Sequence, residues 1–301
     1  PEWLGEDKLV FVSDRSGWWN PYLHDLASGT QRALCERPEE FAGPLWAVGQ
    51  TWYKVIDADT LLVTHGTHGT SLATLDVSSG ELSQLVLPFT RISPSALSGQ
   101  RLLATATSLV EGDGLRLIDL DTLATENISL ALKALPDPEV LPGAEAMEFR
   151  TADGSRVYAH VYEPKLGNLA GPEGDLPPYV AFVHGGPTAQ AFAQLSLSIA
   201  YYTSRGIGVV DVNYGGSTGF GRAYRERLRG AWGVVDVQDT VAVLEGLVAA
   251  GMADPKRLAI EGGSAGGWTV LSALTTTKTF SAGISRYGVS DLVGLVQDTH
   301  D

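Results

Sequence analysis

A serine between glycines, in the stretch GGSAGG at residues 262–267, is the arrangement in this sequence best suited to catalysis. Gly262, Ser264 and Gly266 fit the pattern G-x-S-x-G, and they separate a predicted strand from a predicted helix. In that context the pattern predicts a nucleophile elbow, a sharp turn that exposes the serine hydroxyl for acyl transfer. Side chains at either glycine position would collide with the strand or the helix. The alternative is a glycine-rich helix cap without chemistry.

A second glycine-rich stretch, FVHGGPT at residues 182–188, follows another predicted strand. In hydrolases with such an elbow, this position supplies the second oxyanion donor. Gly185 and Gly186 let the backbone approach a substrate oxygen closely, and Pro187 fixes the turn. A helix that starts at Ala265 also directs N–H groups at the site, where negative charge develops. We therefore expect the N–H groups of Gly186 and Ala265 to form an oxyanion hole.

His184 lies beside these glycines, but its place in the chain is wrong for a general base. Hydrolases of this type present their triad in the chain order Ser, Asp, His, whereas His184 precedes Ser264. We therefore interpret His184 as a residue that shapes the loop.

These segments need a sheet to hold them, and the second half of the sequence predicts one. Apolar runs at 179–184 and 207–213 are continuous, as in strands buried on both faces of a parallel sheet. A helix is predicted over 235–250, a strand at 257–261 precedes the elbow, and the helix after it covers 264–276. Strands that alternate with helices indicate an α/β domain with a parallel sheet.

The first part of the sequence has a different pattern, with short apolar runs separated by turn residues. Asp25, Asp76 and Asp119 end three similar runs, and each is followed by a turn. Their separation is close to the ~40 to 50 residues of one four-stranded propeller blade. We predict a partial β-propeller of about three blades, which is fewer than a closed ring needs.

A stretch rich in proline and glycine, LPDPEVLPG at residues 135–143, marks the predicted domain boundary. We assign residues 1–140 to the partial β-propeller. Residues 141–301 are assigned to the N-terminal part of an α/β-hydrolase domain, with a sheet that stops after about the sixth strand. Both domains are therefore expected to be incomplete.

Four motifs occur in order along the chain, namely HGGPT, VNYGGSTGFGRAY, WGVVDVQD and IEGGSAGGW. Together they resemble the prolyl oligopeptidase family of serine peptidases, especially its acylaminoacyl peptidase and aminopeptidase branch. The resemblance implies that Ser264 is the nucleophile of a serine-type peptidase, which hydrolyses short peptides through an acyl-enzyme and uses no cofactor. It also implies that the propeller restricts access to the site, and that Tyr214, Gly215 and Gly216 help to shape the pocket with residues 184–187.

The resembled family takes its catalytic acid from a loop after the seventh strand and its histidine from beyond the eighth. Asp291, Asp298, His300 and Asp301 follow Ser264 too soon for those loops. We therefore expect the triad aspartate and histidine to lie outside this chain. A serine without a paired imidazole is a poor nucleophile, so the segment alone is expected to be inactive.

Glu39 and Glu40 are adjacent glutamates in the predicted propeller. Dipeptidyl peptidases of the resembled family hold the free amine of the substrate with such a pair, so both residues are candidates for amine binding. A solvated loop is the alternative. His65 and His68, in the stretch HGTHGT, are interpreted as part of a polar hairpin, because no third ligand lies nearby, and no metal is expected.

The overall composition excludes some classes of partner. The 301 residues carry a formal net charge of -14, which repels nucleic acid and anionic membrane surfaces at long range. No apolar run approaches the ~20 residues of a membrane span. A single cysteine, Cys35, favours a reducing compartment, so we expect a cytoplasmic location.

Two other functions fit parts of the pattern. A carboxylesterase would use the same elbow and oxyanion hole, since ester and amide cleavage share this machinery. A chain that has lost catalysis would act as a binding scaffold through its propeller.

Overall fold

The computed structural model describes residues 1–46, 49–167 and 169–298, and these form two compact units. Unit 1 comprises Pro1–Leu135, Phe192–Leu195 and Thr218–Ala223. Unit 2 comprises Pro136–Ala191, Ser196–Ser217 and the residues from Tyr224 onward.

Unit 1, within the described residues, contains three four-stranded antiparallel sheets. The first sheet consists of β1 (Glu2–Leu4), β2 (Lys8–Ser13), β3 (Asn20–Asp25) and β4 (Gln31–Ala33). The second consists of β5 (Tyr53–Val55), β6 (Thr60–His65), β7 (Ser71–Asp76) and β8 (Leu82–Leu85). The third consists of β9 (Arg91–Ser98), β10 (Arg101–Thr107), β11 (Gly114–Asp119) and β12 (Thr125–Leu130). Consecutive strands are neighbours in each sheet, as in a propeller blade.

The repeated aspartates occupy the same position in all three sheets. Asp25, Asp76 and Asp119 are the last residues of β3, β7 and β11, which are the third strands of their sheets. Each carboxylate accepts a backbone N–H three residues further on, from Ser28 at 2.8 Å, Ser79 at 2.7 Å and Thr122 at 2.9 Å. The repeat in the sequence therefore encodes one local turn, formed three times.

Apolar side chains pack between successive sheets of unit 1. Leu61 lies in a cluster with Leu23 of the first sheet, whereas Leu62 lies in a cluster with Leu102 of the third. Adjacent residues of a strand point to opposite faces, so the second sheet is buried on both sides. This packing fits the propeller-like part that the sequence predicts, and the number of blades stays a prediction.

Unit 2 is built around a six-stranded sheet with the strand order β13-β14-β16-β15-β17-β18. Its strands are β13 (Glu145–Arg150), β14 (Arg156–Tyr162), β15 (Tyr179–Val183), β16 (Gly208–Asn213), β17 (Leu258–Gly263) and β18 (Ala282–Arg286). The last four strands pair in parallel, and β13 and β14 join them as an antiparallel hairpin. The strands predicted around the two glycine-rich motifs are confirmed.

Helices pack against the sheet of unit 2, and their apolar side chains form a core with the strands. The helices of the described chain are α1 (Leu197–Thr203), α2 (Arg222–Glu226), α3 (Val235–Ala249), α4 (Ala265–Thr276) and α5 (Leu292–Asp298), with a 3₁₀ turn at Pro138–Val140. Val212 of β16, Leu244 of α3 and Val270 of α4 are fully buried in one apolar cluster. Both helices predicted around this cluster are confirmed to within one residue. No helix in the described part of the chain is long and apolar enough to cross a membrane.

The two units are not separated by one boundary in the sequence, because unit 1 includes two short segments from the second half of the chain. The segment Thr218–Ala223 groups with unit 1, where the Arg222 guanidinium makes two hydrogen bonds to the Asp14 carboxylate, at 2.6 and 2.9 Å. Local composition could not reveal this, because the partners are distant in the chain. The domain assignment of 1–140 and 141–301 stays a prediction.

Candidate active site

Ser264 has the strained backbone that the elbow pattern predicts. It lies between β17 and α4 with φ 55° and ψ -120°, and its side chain is exposed. Such angles are costly for a residue other than glycine, and they persist only where the surroundings enforce them. The Ser264 N–H donates to the Arg286 carbonyl oxygen at 3.1 Å, and the Ser264 carbonyl oxygen accepts from the Gly267 N–H at 3.0 Å. Strand β18 and the first turn of α4 therefore hold the serine on both sides.

The two glycines of the elbow have no space for a side chain. A Cβ atom at Gly262 would lie 2.6 Å from the Gly266 carbonyl oxygen, and one at Gly266 would collide with the Val183 carbonyl oxygen. Both positions therefore require glycine for close packing of β17, α4 and the end of β15.

The loop after β15 lies directly against the elbow. A Cβ atom at Gly185 would lie 3.3 Å from the Ser264 Cβ and 3.8 Å from the Ala265 nitrogen. Gly186 has φ 113° and is exposed, while Ala265 is the buried first residue of α4. The segments that carry the two expected oxyanion donors are therefore neighbours beside the serine.

Tyr214 supports that loop from the interior. Its hydroxyl donates to the His184 carbonyl oxygen at 2.8 Å and lies 3.2 Å from the Pro187 carbonyl oxygen. Its ring is fully buried and stacks on the His184 imidazole at 4.5 Å between centroids. Burial, and next the Asp236 carboxylate, raise the pKa of Tyr214, so the hydroxyl keeps its proton. Any effect of Tyr214 on a pocket therefore passes through the 184–187 loop.

His184 uses both ring nitrogens within unit 2. Its Nδ1–H donates to the Gly185 carbonyl oxygen at 2.9 Å, and its Nε2 accepts from the Ser217 hydroxyl at 2.7 Å. Burial lowers the pKa of His184 to about 4, so the imidazole is neutral at neutral pH. The imidazole holds the loop in shape, and neither nitrogen is directed at Ser264.

Gly215 and Gly216 belong to the buried segment after β16. The Gly215 N–H donates to the Asp239 carboxylate at 2.7 Å, and the same carboxylate binds the Arg227 guanidinium at 2.8 Å. Gly216 has φ 118°, and a Cβ atom there would lie 2.7 Å from the Leu228 side chain. Both glycines therefore allow close packing next to Tyr214.

Glu39 and Glu40 already have partners in unit 1. The Glu39 carboxylate binds Arg37 at 3.1 Å and His65 at 2.5 Å. Burial alone would raise the pKa of Glu39, but the hydrogen bonds from His65 and Arg37 lower it overall. Glu40 is 6% exposed and accepts the backbone N–H groups of Trp19 at 2.8 Å and Gly221 at 3.0 Å. The alternative of a solvated loop is therefore wrong for Glu40, because backbone donors replace water around its carboxylate.

Sequence reasoning missed the polar contacts that join α3 to α4. The Asp236 carboxylate accepts from the Thr269 hydroxyl, and both residues are fully buried. Asp236 and Asp239 lie three residues apart, on one face of α3. Two aspartates at this spacing within a largely apolar helix are the signal that could have indicated buried carboxylates.

From the sequence, we expect the general base of Ser264 to lie outside this chain. Within residues 1–46, 49–167 and 169–298, no imidazole is hydrogen-bonded to the Ser264 hydroxyl. Asp291 instead accepts the Val293 N–H at 2.9 Å at the start of α5. His300 and Asp301 lie outside the described residues, as does the side chain of Asp298. The same part of the chain contains no group of three or more His, Cys, Asp or Glu residues that could hold a metal ion.

Comparisons of the sequence find related peptidases. Residues 193–301 match the Prolyl oligopeptidase family. The chain is 35% identical over 167 residues to dipeptidyl peptidase family member 6 of Caenorhabditis elegans. This alignment covers 50% of this chain and 23% of that protein. It is also 32% identical over 124 residues to the acylamino-acid-releasing enzyme of Arabidopsis thaliana. That alignment covers 41% of this chain and 16% of that protein.

Solved structures extend the similarity to nearly the whole chain. A puromycin-hydrolyzing peptidase of Mycobacterium tuberculosis matches with a TM-score of 0.94 and 44% identity, over 99% of this chain and 46% of that chain. A puromycin hydrolase matches with a TM-score of 0.91 and 44% identity, over 98% of this chain and 45% of that chain. The chain spans less than half the length of each of these relatives. These neighbours combine a propeller with an α/β-hydrolase domain, so the broad fold prediction is confirmed.

Proposed function

We propose that the whole protein is a serine peptidase of the prolyl oligopeptidase family, with Ser264 as its nucleophile. Residues 193–301 match that family. The observation that carries this proposal is the backbone of Ser264, with φ 55° and ψ -120°, at the start of α4. The fold maintains this strain between two glycines that cannot be replaced without collision. An exposed hydroxyl held in this way is the arrangement of a nucleophile elbow.

The proposed reaction is acyl transfer through a covalent intermediate. The Ser264 Oγ attacks the carbonyl carbon of a peptide bond while a base removes the hydroxyl proton. The negative charge on the carbonyl oxygen is stabilised by the N–H groups of Gly186 and Ala265, which we propose as the oxyanion donors. The C–N bond then breaks, and the amine leaves with the proton. Water hydrolyses the acyl-enzyme ester and restores the serine.

We further propose that the base and its acidic partner come from outside these 301 residues. The support is that both nitrogens of His184 are already hydrogen-bonded, to the Gly185 carbonyl oxygen and to the Ser217 hydroxyl. Removal of a triad member lowers turnover by several orders of magnitude, on the order of 10⁴-fold or more. The isolated segment should therefore turn over substrate negligibly, whereas the whole protein should be active.

The experiment compares the whole protein, its Ser264→Ala variant and the isolated 301-residue segment on a short peptide amide. Ser281→Ala is a matched control, because Ser281 is exposed and its hydroxyl only bonds the Lys256 carbonyl oxygen. We expect activity in the whole protein and in Ser281→Ala, and none in Ser264→Ala. Robust activity of the segment, lost in Ser264→Ala, would show that its base lies within the chain. Activity that survives Ser264→Ala would overturn the proposed nucleophile.

Short peptides and aminoacyl amides are the proposed substrate class. The support is the 44% identity to two proteins described as puromycin-hydrolysing. Puromycin and a short peptide amide are therefore the first substrates to assay, with a matched ester for comparison. Measurable amide cleavage would support a peptidase, whereas cleavage of the ester alone would favour the carboxylesterase alternative.

Amine binding by Glu39 and Glu40 remains part of this proposal. Its support is that hydrogen bonds keep Glu39 ionised, with a pKa below the ordinary value. In the whole protein, Glu39→Gln should raise KM for a peptide with a free amine and leave KM for the N-acylated peptide unchanged. An equal change of KM for both peptides would remove the amine-binding role.

A further inference from the structure

The motif WGVVDVQD, residues 232–239, packs against the helix that begins after Ser264. Gly233 has φ 86°, and a Cβ atom there would lie 2.7 Å from the indole nitrogen of Trp268 on α4. Trp232 makes an edge contact with Trp268 at 6.4 Å between ring centroids. The start of α3 and the loop before it therefore fit closely against one face of α4.

Asp236 makes the polar contact within this interface. One carboxylate oxygen accepts the Gly233 N–H at 2.7 Å, and the other accepts the Thr269 hydroxyl at 2.5 Å. Asp236 and Thr269 are both 0% exposed, so water cannot replace either partner. A buried acceptor that loses its donor costs the full desolvation of the group, which makes this contact specific.

Thr269 lies one helical turn after Ala265. Its position at i+4 places it on the same face of α4 as the residue whose N–H is the proposed oxyanion donor. The first turn of α4 also holds the strained Ser264 through the N–H groups of Gly267 and Trp268. A shift of α4 along or around its axis would therefore move both the hydroxyl and the donor.

Asp239 of α3 connects that helix to the segment after β16. It accepts the Gly215 N–H at 2.7 Å and the Arg227 guanidinium at 2.8 Å. Gly215 follows Tyr214, whose hydroxyl bonds the His184 carbonyl oxygen in the glycine-rich loop. One face of α3 therefore contacts α4 directly and is connected to the 184–187 loop through Gly215 and Tyr214.

We propose that Asp236 is a positioning residue, which acts through Thr269 to hold the first turn of α4 in the orientation that acylation of Ser264 requires. This inference rests on the proposed function of Ser264. Asp236 touches neither substrate nor the reacting atoms. Its contribution is the alignment of the Ser264 hydroxyl with the Ala265 N–H, because acyl transfer is sensitive to displacements well below 1 Å.

The test uses the whole protein and a fluorophosphonate reagent that reacts with activated serines. Thr269→Val removes the hydroxyl with little change of shape, and Thr269→Ser keeps it. Thr240→Val is the matched control, because Thr240 is equally buried and its hydroxyl bonds the Asp236 carbonyl oxygen at 2.7 Å within α3, without reaching α4. For each variant, the labelling rate, kcat and KM are measured beside the melting temperature.

We expect Thr269→Val to lower kcat and the labelling rate about tenfold to 100-fold, with KM nearly unchanged. Thr269→Ser should restore both rates, and Thr240→Val should lower the melting temperature without slowing labelling. Asp236→Asn should lower the rates as well, and the double variant with Thr269→Val should lose less than the product of the two separate losses. If Thr269→Val does not fold, the rates of Asp236→Asn test the inference instead.

Normal labelling of folded Thr269→Val would overturn the inference, as would equal slowing in Thr240→Val. These results differ from a failure of the proposed function. If Ser264 is not the nucleophile, the unmodified protein is not labelled at Ser264 at all.

Discussion

The three repeated aspartates of unit 1 differ from two aspartates of α3 in unit 2, both in their partners and in their surroundings. In unit 1, Asp25, Asp76 and Asp119 are partly exposed, and they accept N–H groups three residues further along the chain. Hydrogen bonds from these neighbours lower the pKa of each. In unit 2, Asp236 and Asp239 are buried, and their partners Thr269 and Gly215 are 33 and 24 residues away. Burial raises the pKa of both.

This difference separates a structural repeat from a site. An aspartate that serves a local turn needs only its neighbours, so the same residue can be reused in every sheet. A buried carboxylate must find its donors in distant segments, so its position fixes how those segments meet. Asp236 and Asp239 make contacts of this second kind in unit 2, and Glu40 makes them in unit 1.

The largest effect is expected at the buried ion pair of unit 2. Asp239→Ala leaves the Gly215 N–H and the Arg227 guanidinium without their partner, and Asp239 is only 1% exposed. Breaking a buried pair costs about 3 to 5 kcal/mol of unfolding free energy, and the lower end of this range is expected here because the Arg227 side chain is 22% exposed. Urea unfolding measures the loss. A loss as small as that of a turn aspartate in unit 1 would contradict the distinction between the two kinds of aspartate.

The next effect concerns packing between α3 and α4. Gly233→Ala places a Cβ atom 2.7 Å from the Trp268 nitrogen, while Gly251→Ala has the same left-handed backbone and no atom within 4 Å. Both variants share the backbone strain, so their difference isolates the collision, which costs roughly 1 to 3 kcal/mol. Thermal unfolding of both variants measures it. Equal melting temperatures would show that the loop before α3 does not pack closely against α4.

His184 extends the comparison from buried carboxylates to a buried base, because burial lowers its pKa. Burial lowers it to about 4, from an ordinary value of 6.5, so the folded protein binds fewer protons than the unfolded chain between these pH values. Stability in unit 2 should therefore fall as pH decreases from 6.5 to about 4. Imidazole NMR signals, assigned with His184→Gln, measure the pKa directly. Titration near 6.5 would contradict the buried, neutral imidazole.

The smallest effect is expected at the repeated turns. Asp76 accepts hydrogen bonds from Ser78 and Ser79, which lower its pKa to about 2. The folded state then binds fewer protons, so this contribution is present above pH 3.8 and is lost as pH falls towards 2. Asp76→Asn should therefore differ slightly from the unmodified protein at pH 7 and hardly at all at pH 2. Acid titration of the unfolding midpoint tests this, and a difference that grows towards pH 2 would contradict it.

The sequence predicted the features that depend on short-range patterns. The glycine spacing around Ser264 predicted the elbow, because strand, turn and helix are adjacent in the chain. The recurrence of Asp25, Asp76 and Asp119 predicted three equivalent turns, which occur at the ends of β3, β7 and β11. Continuous apolar runs predicted β15 and β16, since both are buried on two faces.

Long-range contacts could not be predicted in the same way. The Glu40 carboxylate accepts the N–H groups of Trp19 and Gly221, and nothing in the local sequence indicates that a segment near residue 221 meets residue 40. The contact of Asp236 with Thr269 depends equally on how two helices pack. Such contacts are fixed by tertiary structure and leave no periodic signal.

Mass-spectrometric mapping of a fluorophosphonate adduct on the whole protein tests the central claim most directly. The strained, exposed hydroxyl at the start of α4 predicts one modified residue, Ser264, and complete loss of the adduct in Ser264→Ala. An adduct on another serine, or an active protein that leaves Ser264 unmodified, would contradict it.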